Sequence, residues 1–100
     1  MKPRSIQLRE EARAELLHEV GYYESARRGQ GKLFREAVNA TTALIRRFPT
    51  AGTLGPAGTK KAKVRGFPFT IVYRNEADSV IVFAIAPDSK QEGYWLPRTK

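Results

Sequence analysis

The apolar pattern of this chain changes period at Pro49, and that change restricts the fold more than any other feature. Before Pro49 the apolar residues recur at three- and four-residue spacing, as on one face of a helix. After it they alternate or run continuously, as in strands. From about Glu10, the residues Ala12, Leu16, Val20 and Tyr23 form one stripe. Arg27 and Arg28 suit a helix C-terminus, where positive charge is favoured, and Gly29 can supply a left-handed cap. A second helix is expected from about Lys32 to Phe48, with Phe34, Ala37, Val38, Thr41, Leu44, Ile45 and Phe48 on its apolar stripe. Pro49 halts it, and the short glycine-containing link makes the pair an antiparallel hairpin.

The strands frame that hairpin. Ile6 and Leu8 alternate with polar neighbours, enough for a short first strand. Residues 50–59 read as a loop of glycine and small residues. Three strands are expected after it, at Lys61 to Gly66, Phe67 to Arg74 and Val80 to Ala86. Pro68 belongs at a strand start or edge, because it has no amide to donate. Asn75-Glu76-Ala77-Asp78 is a turn, which makes the last two strands antiparallel neighbours. The fold class is therefore α+β: a two-helix hairpin on one face of a small, mainly antiparallel sheet, in the order β-α-α-β-β-β. One hundred residues supply one such domain.

Charge narrows the range of partners. The chain carries 18 Lys and Arg against 10 Asp and Glu, a net charge of +8. No acidic residue lies between Glu36 and Glu76, a window that holds Arg46, Arg47, Lys60, Lys61, Lys63, Arg65 and Arg74. Such clustering favours a polyanionic partner, either nucleic acid or an acidic protein. The absence of cysteine excludes disulfides, thiolate metal sites and cysteine nucleophiles. His18 has no metal-ligand neighbour and reads as a surface residue within reach of Glu15, so neither a metal nor a cofactor is expected. No apolar run approaches the roughly 20 residues of a membrane span. The opening Met1-Lys2-Pro3-Arg4-Ser5 is followed by charges at Arg9, Glu10 and Glu11 rather than by a signal-peptide core, which points to a cytoplasmic protein without membrane contact.

Four stretches together resemble one family: EARAELLHEVGYYE at 11–24, LFREAVNATTALIRRFP at 33–49, RGFPFTIVY at 65–73 and GYWLPR at 93–98. They are similar, in the same order, to the RelE/ParE superfamily of toxins from type II toxin–antitoxin systems, and more to its ParE, plasmid-stabilisation branch. The resemblance implies a small acidic antitoxin as partner. It also implies one of two targets: DNA gyrase for ParE-type members, or messenger RNA on the ribosome for RelE-type endoribonucleases.

The nuclease alternative needs basic groups and a tyrosine converging on one sheet face, to activate a 2′-hydroxyl and protonate a leaving oxygen. In register with that branch, Tyr94 falls on the catalytic tyrosine, and Lys60, Lys61 and Lys63 stand in for its lysines. Thr70 and Asp88, however, fall where catalytic arginines are expected, and an aspartate there repels a phosphate. The segment from Pro87 to Glu92 also departs from the histidine and arginines common in ParE-type relatives, leaving Lys90 as its cation. A non-enzymatic gyrase inhibitor is therefore the leading expectation, with a weakened toxin that retains antitoxin binding as a further alternative. The expected target- or antitoxin-binding residues are Lys60, Lys61, Lys63, Arg65, Arg74, Lys90, Tyr94, Trp95 and Arg98. Of these, Arg65 and Arg74 are the first choice for antitoxin carboxylates, because arginine makes bidentate pairs. Tyr94 and Trp95 are expected to anchor the C-terminus over the sheet edge, and Tyr23 to lie in the core. Arg27, Arg28 and Lys32 read as a solvated link between the helices.

Overall fold

The structure, a computed structural model, describes residues 4–100, so Met1-Lys2-Pro3 of the opening segment lie outside the described residues. Five strands and two helices follow in the order β1 (Ser5–Leu8), α1 (Glu10–Ala26), α2 (Gln30–Arg47), β2 (Thr53–Leu54), β3 (Lys60–Lys63), β4 (Phe69–Asn75) and β5 (Ser79–Pro87). Single 3-10 turns occupy Pro56–Gly58 and Leu96–Thr99. The sheet order is β1-β5-β4-β3-β2. Only β1 and β5 are parallel, with Ser5 opposite Ser79, and the other pairs are antiparallel. The expected architecture is therefore present, with one addition. The presumed loop at 50–59 contributes the two-residue strand β2, paired to Lys60 and Lys61.

Both helices cover the same sheet face. Ala12, Phe34, Val38 and Ile45 pack on Phe69, Ile71, Tyr73, Val80, Val82 and Ile85, and Leu16, Val20 and Tyr23 close the core from α1. Rings from Tyr23, Phe34, Phe67 and Phe69 meet mostly edge to face at centroid distances of 5.0–6.2 Å, a favoured aromatic geometry. The hairpin is tight because Gly31 sits against α1: a Cβ there would lie 2.7 Å from the Val20 carbonyl oxygen. Gly29 adopts φ +87°, and both its amide and that of Gly31 donate to the Glu24 carboxylate at 3.1 Å. A side chain of α1 thus satisfies the free amides at the start of α2.

Several expectations need correction. Leu44 and Phe48, placed on the core stripe of α2, are 60% and 53% exposed. In the same turns Ile45 reaches the core and Arg46 donates to the Arg4 carbonyl at 2.9 Å, leaving Leu44 and Phe48 at an open groove on the β3 side. β3 stops at Lys63 and β4 begins at Phe69, because Gly66 (φ +85°) and Pro68 make a turn between them. Phe67 lies in that turn rather than in a strand, although its ring still enters the core. The near-continuous apolar run of β5 hides a bulge: Val72 faces Ala84 but Tyr73 faces Val82, so Phe83 has no partner in register. Side chains on either side of the bulge therefore serve different sheet faces.

The second face carries its own small core. Trp95, 2% exposed, packs on Val72, Ala84 and Ala86, with Tyr94 beside it. Trp95 therefore covers the sheet face opposite the helices, not the sheet edge.

Candidate functional site

Two concavities flank β3. On the face opposite the helices, a cleft of about 170 Å³ is bounded by Lys61, Thr70, Asp88, Lys90, Glu92 and Tyr94. Strand alternation puts Lys61 and Lys63 there together, opposite Val72 and Thr70 on β4. Neither lysine is free. Lys61 pairs with Glu92 and Lys63 with Asp88, and Lys63 also donates to the Phe67 carbonyl at 3.2 Å. Thr70 donates its hydroxyl to the other oxygen of Asp88 at 2.9 Å. The hydrogen bond from Lys63 outweighs desolvation and, helped by Thr70 and the lysine's charge, holds the Asp88 carboxyl below its ordinary range. Lys90 stands over the Tyr94 ring, 4.2 Å from its centroid.

Tyr94 is committed elsewhere. Its hydroxyl donates to Glu15 Oε2 at 2.7 Å, and burial, followed by that carboxylate, pushes its pKa well above the ordinary value for a phenol. Glu15 is the centre of a four-part clamp. Arg98 donates to both of its oxygens at 3.0 Å and to the Phe83 carbonyl at 2.9 Å, and the Ile85 amide donates to Glu15 Oε1 at 3.0 Å. The reason is topological: β1 ends at Leu8, opposite Val82, so the rest of β5 presents its edge without a neighbouring strand. Glu15 and Arg98 supply the missing acceptor and donor. The carboxylate thus turns to the sheet rather than to His18, which is exposed on α1. Glu15 was not singled out from the sequence, where one glutamate on an amphipathic helix looks like any other.

The remaining expected residues separate. Arg74 is held internally by Glu76 at 2.8 Å and the carbonyls of Ala57 and Thr99, with its guanidinium 4.9 Å from the centroid of the Phe83 ring. Arg9 stacks on the same ring, so two cations enclose the bulge residue. Lys60 lies opposite Tyr73 on the helix-bearing face. Arg65 is exposed in the β3–β4 turn and makes no ion pair among the described residues. The proposed binding residues thus do not form one patch.

On the helix side of β3, a larger groove of about 330 Å³ runs between the end of α2 and the sheet. Leu44, Ile45, Phe48, Ala51, Ala62 and Tyr73 make its apolar walls, and β3 borders it from Lys61 to Lys63.

The sequence from residue 6 to residue 92 matches the family described as ParE toxin of type II toxin-antitoxin system, parDE. The chain belongs to this family. A search of curated proteins finds no match to it. Among solved structures, the ParE-family fold described here is similar to a chain of a chromosomal ParDE toxin–antitoxin system from P. aeruginosa. The TM-score is 0.74 at 14% identity, over 84% of this chain and 95% of that one. At that identity the likeness is one of fold. Among the described residues, no helix of this ParE-family toxin is long and apolar enough to cross a membrane.

Proposed function

We propose that this ParE-family toxin acts on DNA gyrase by surface recognition, without chemistry of its own, and that an acidic antitoxin silences it. The observation that carries the first half is the state of the sheet cleft. Lys61 and Lys63 pair with Glu92 and Asp88, and the Tyr94 hydroxyl is engaged by Glu15. A nuclease would need those cations for phosphate and that hydroxyl for proton transfer. Purified toxin should inhibit gyrase supercoiling and leave cleaved DNA, while messenger RNA on translating ribosomes stays intact. Unimpaired supercoiling, or site-specific messenger cleavage that disappears in Tyr94→Phe, would refute this reading.

The groove beside α2 supports the second half. It offers exposed Leu44 and Phe48 to the apolar face of a helix or extended segment. Leu44→Asp should weaken antitoxin binding by about 30-fold or more, as at an interface hot spot, while the toxin stays folded. Titration calorimetry with the product of the neighbouring reading frame measures this, and unchanged affinity would exclude the groove. Gyrase and its DNA are cytoplasmic, and the same location is proposed for this protein.

A further inference from the structure

The end of the molecule formed by the α1–α2 link carries a cluster of cations. Arg27, Arg28, Lys32 and Arg35 are exposed there, and none makes an ion pair among the described residues. Arg65 joins them through the core: it lies two residues from Phe67, whose ring packs at 5.2 Å on both Tyr23 and Phe34. Tyr23 is four residues before Arg27, and Phe34 two residues after Lys32. The nearest carboxylates on these elements are Glu24 and Glu36, with Glu19 a turn further back. Glu24 accepts from the amides of Gly29 and Gly31 and forms no ion pair among the described residues, so the cations remain in excess at this end. Tyr22 stands beside this cluster, 62% exposed, with its ring edge-on to Tyr23 at 5.5 Å.

We propose that this end is a binding surface for the phosphate backbone of duplex DNA, separate from the antitoxin groove. Five exposed cations on a helix link and an adjoining strand turn make a sequence-indifferent contact of the kind that tracks phosphates. Single strands are a poorer fit, because they are held by several stacking rings and only Tyr22 is exposed here. An acidic peptide is a poorer fit too, since the apolar groove it would need lies at the opposite end of α2. The inference goes beyond the gyrase reading and does not require it: the contact is with DNA alone.

The test uses toxin and a fluorescent duplex of mixed sequence, without gyrase, read by anisotropy. Binding at 50 mM salt should weaken by about 10²-fold at 200 mM, the dependence of roughly four released counterions. Arg27→Ser/Arg28→Ser/Arg65→Ser should lose about tenfold or more and flatten the salt slope by about two to three. The pair Arg46→Ser/Arg47→Ser, at the far end of α2, should change affinity by less than about threefold. Amide shift changes in the unmodified protein on adding duplex should centre on Tyr22, Arg27, Lys32 and Arg65, which keeps the test valid if the triple variant unfolds. The proposal falls if duplex does not bind at 50 mM salt, if both variants lose affinity equally, or if the shifts map to the α2 groove. It also falls if single-stranded DNA or polyglutamate displaces the duplex more readily than unlabelled duplex does.

Discussion

Glu15 accepts hydrogen bonds from the backbone of β5, from Tyr94 and from Arg98, which joins the first helix, the sheet and the C-terminus at one carboxylate. Replacing it leaves a guanidinium that is only 18% exposed without a counter-charge. Glu15→Gln should therefore cost about 2–3 kcal/mol, below the full value for a wholly buried pair. Urea unfolding measures it, and a loss under about 0.5 kcal/mol would mark the clamp as ornamental. The same site has a signature at high pH. The folded state raises the Tyr94 pKa, chiefly through burial, and Tyr23 and Tyr73 shift the same way for the same leading reason. Their stabilisation is complete below the ordinary phenol value of about 10 and is lost as pH rises towards the raised folded values. The urea midpoint should decline from pH 9.5 to pH 11.5, and Tyr94→Phe should decline less steeply; equal slopes would mean that Tyr94 plays no part. Asp88 acts in the opposite direction, its contribution present above its ordinary carboxyl range and lost as pH falls through its lowered value.

The elements test the packing more sharply than the residues do. Gly31 has the carbonyl of Val20 where a Cβ would go, whereas Gly21 on the facing helix has nothing within 4 Å. Gly31→Ala should destabilise by about 1–3 kcal/mol despite alanine's helix preference, because backbone cannot yield. Gly21→Ala should stabilise by about 0.5–1 kcal/mol. Calorimetric midpoints moving in the same direction for both would contradict the tight hairpin. These two glycines also show what the sequence can reveal. Periodicity locates both helices and the strand pairs, since the apolar period follows directly from burial on one face. It cannot say which glycine faces a neighbouring helix. Nor can it say that Leu44 and Phe48, which keep the spacing of core residues, border an open groove instead of packing on the sheet. The site was less legible still. Lys61 and Lys63 are visible as charges, but their neutralisation by Glu92 and Asp88 depends on how the chain after β5 folds back across the sheet. Likewise, an apolar run reads the same with a bulge at Phe83 as without one.

For the whole molecule, the C-terminal tail decides whether the sheet has one covered face or two. Ending the chain at Glu92 removes Trp95 and Arg98 together, baring Val72, Ala84 and Ala86 and leaving Glu15 unpaired. The truncated protein should lose about 3–5 kcal/mol or more, the scale of deleting one buried tryptophan. Chemical unfolding and dye binding would report it, and a midpoint unchanged from the full chain would show that the tail is dispensable. Strand order has a different consequence, one in time. Ser5 pairs with Ser79, and the edge of β5 is finished only by Arg98, far along the chain from the strand and helix it joins. Contacts so distant along the chain close slowly, because the intervening loop must be ordered first. A chain still leaving the ribosome holds two helices with no completed sheet beneath them. A delay between the forming of the helices and the closing of the sheet is thus built into the topology, and it sets the earliest moment at which the molecule exists in its working shape.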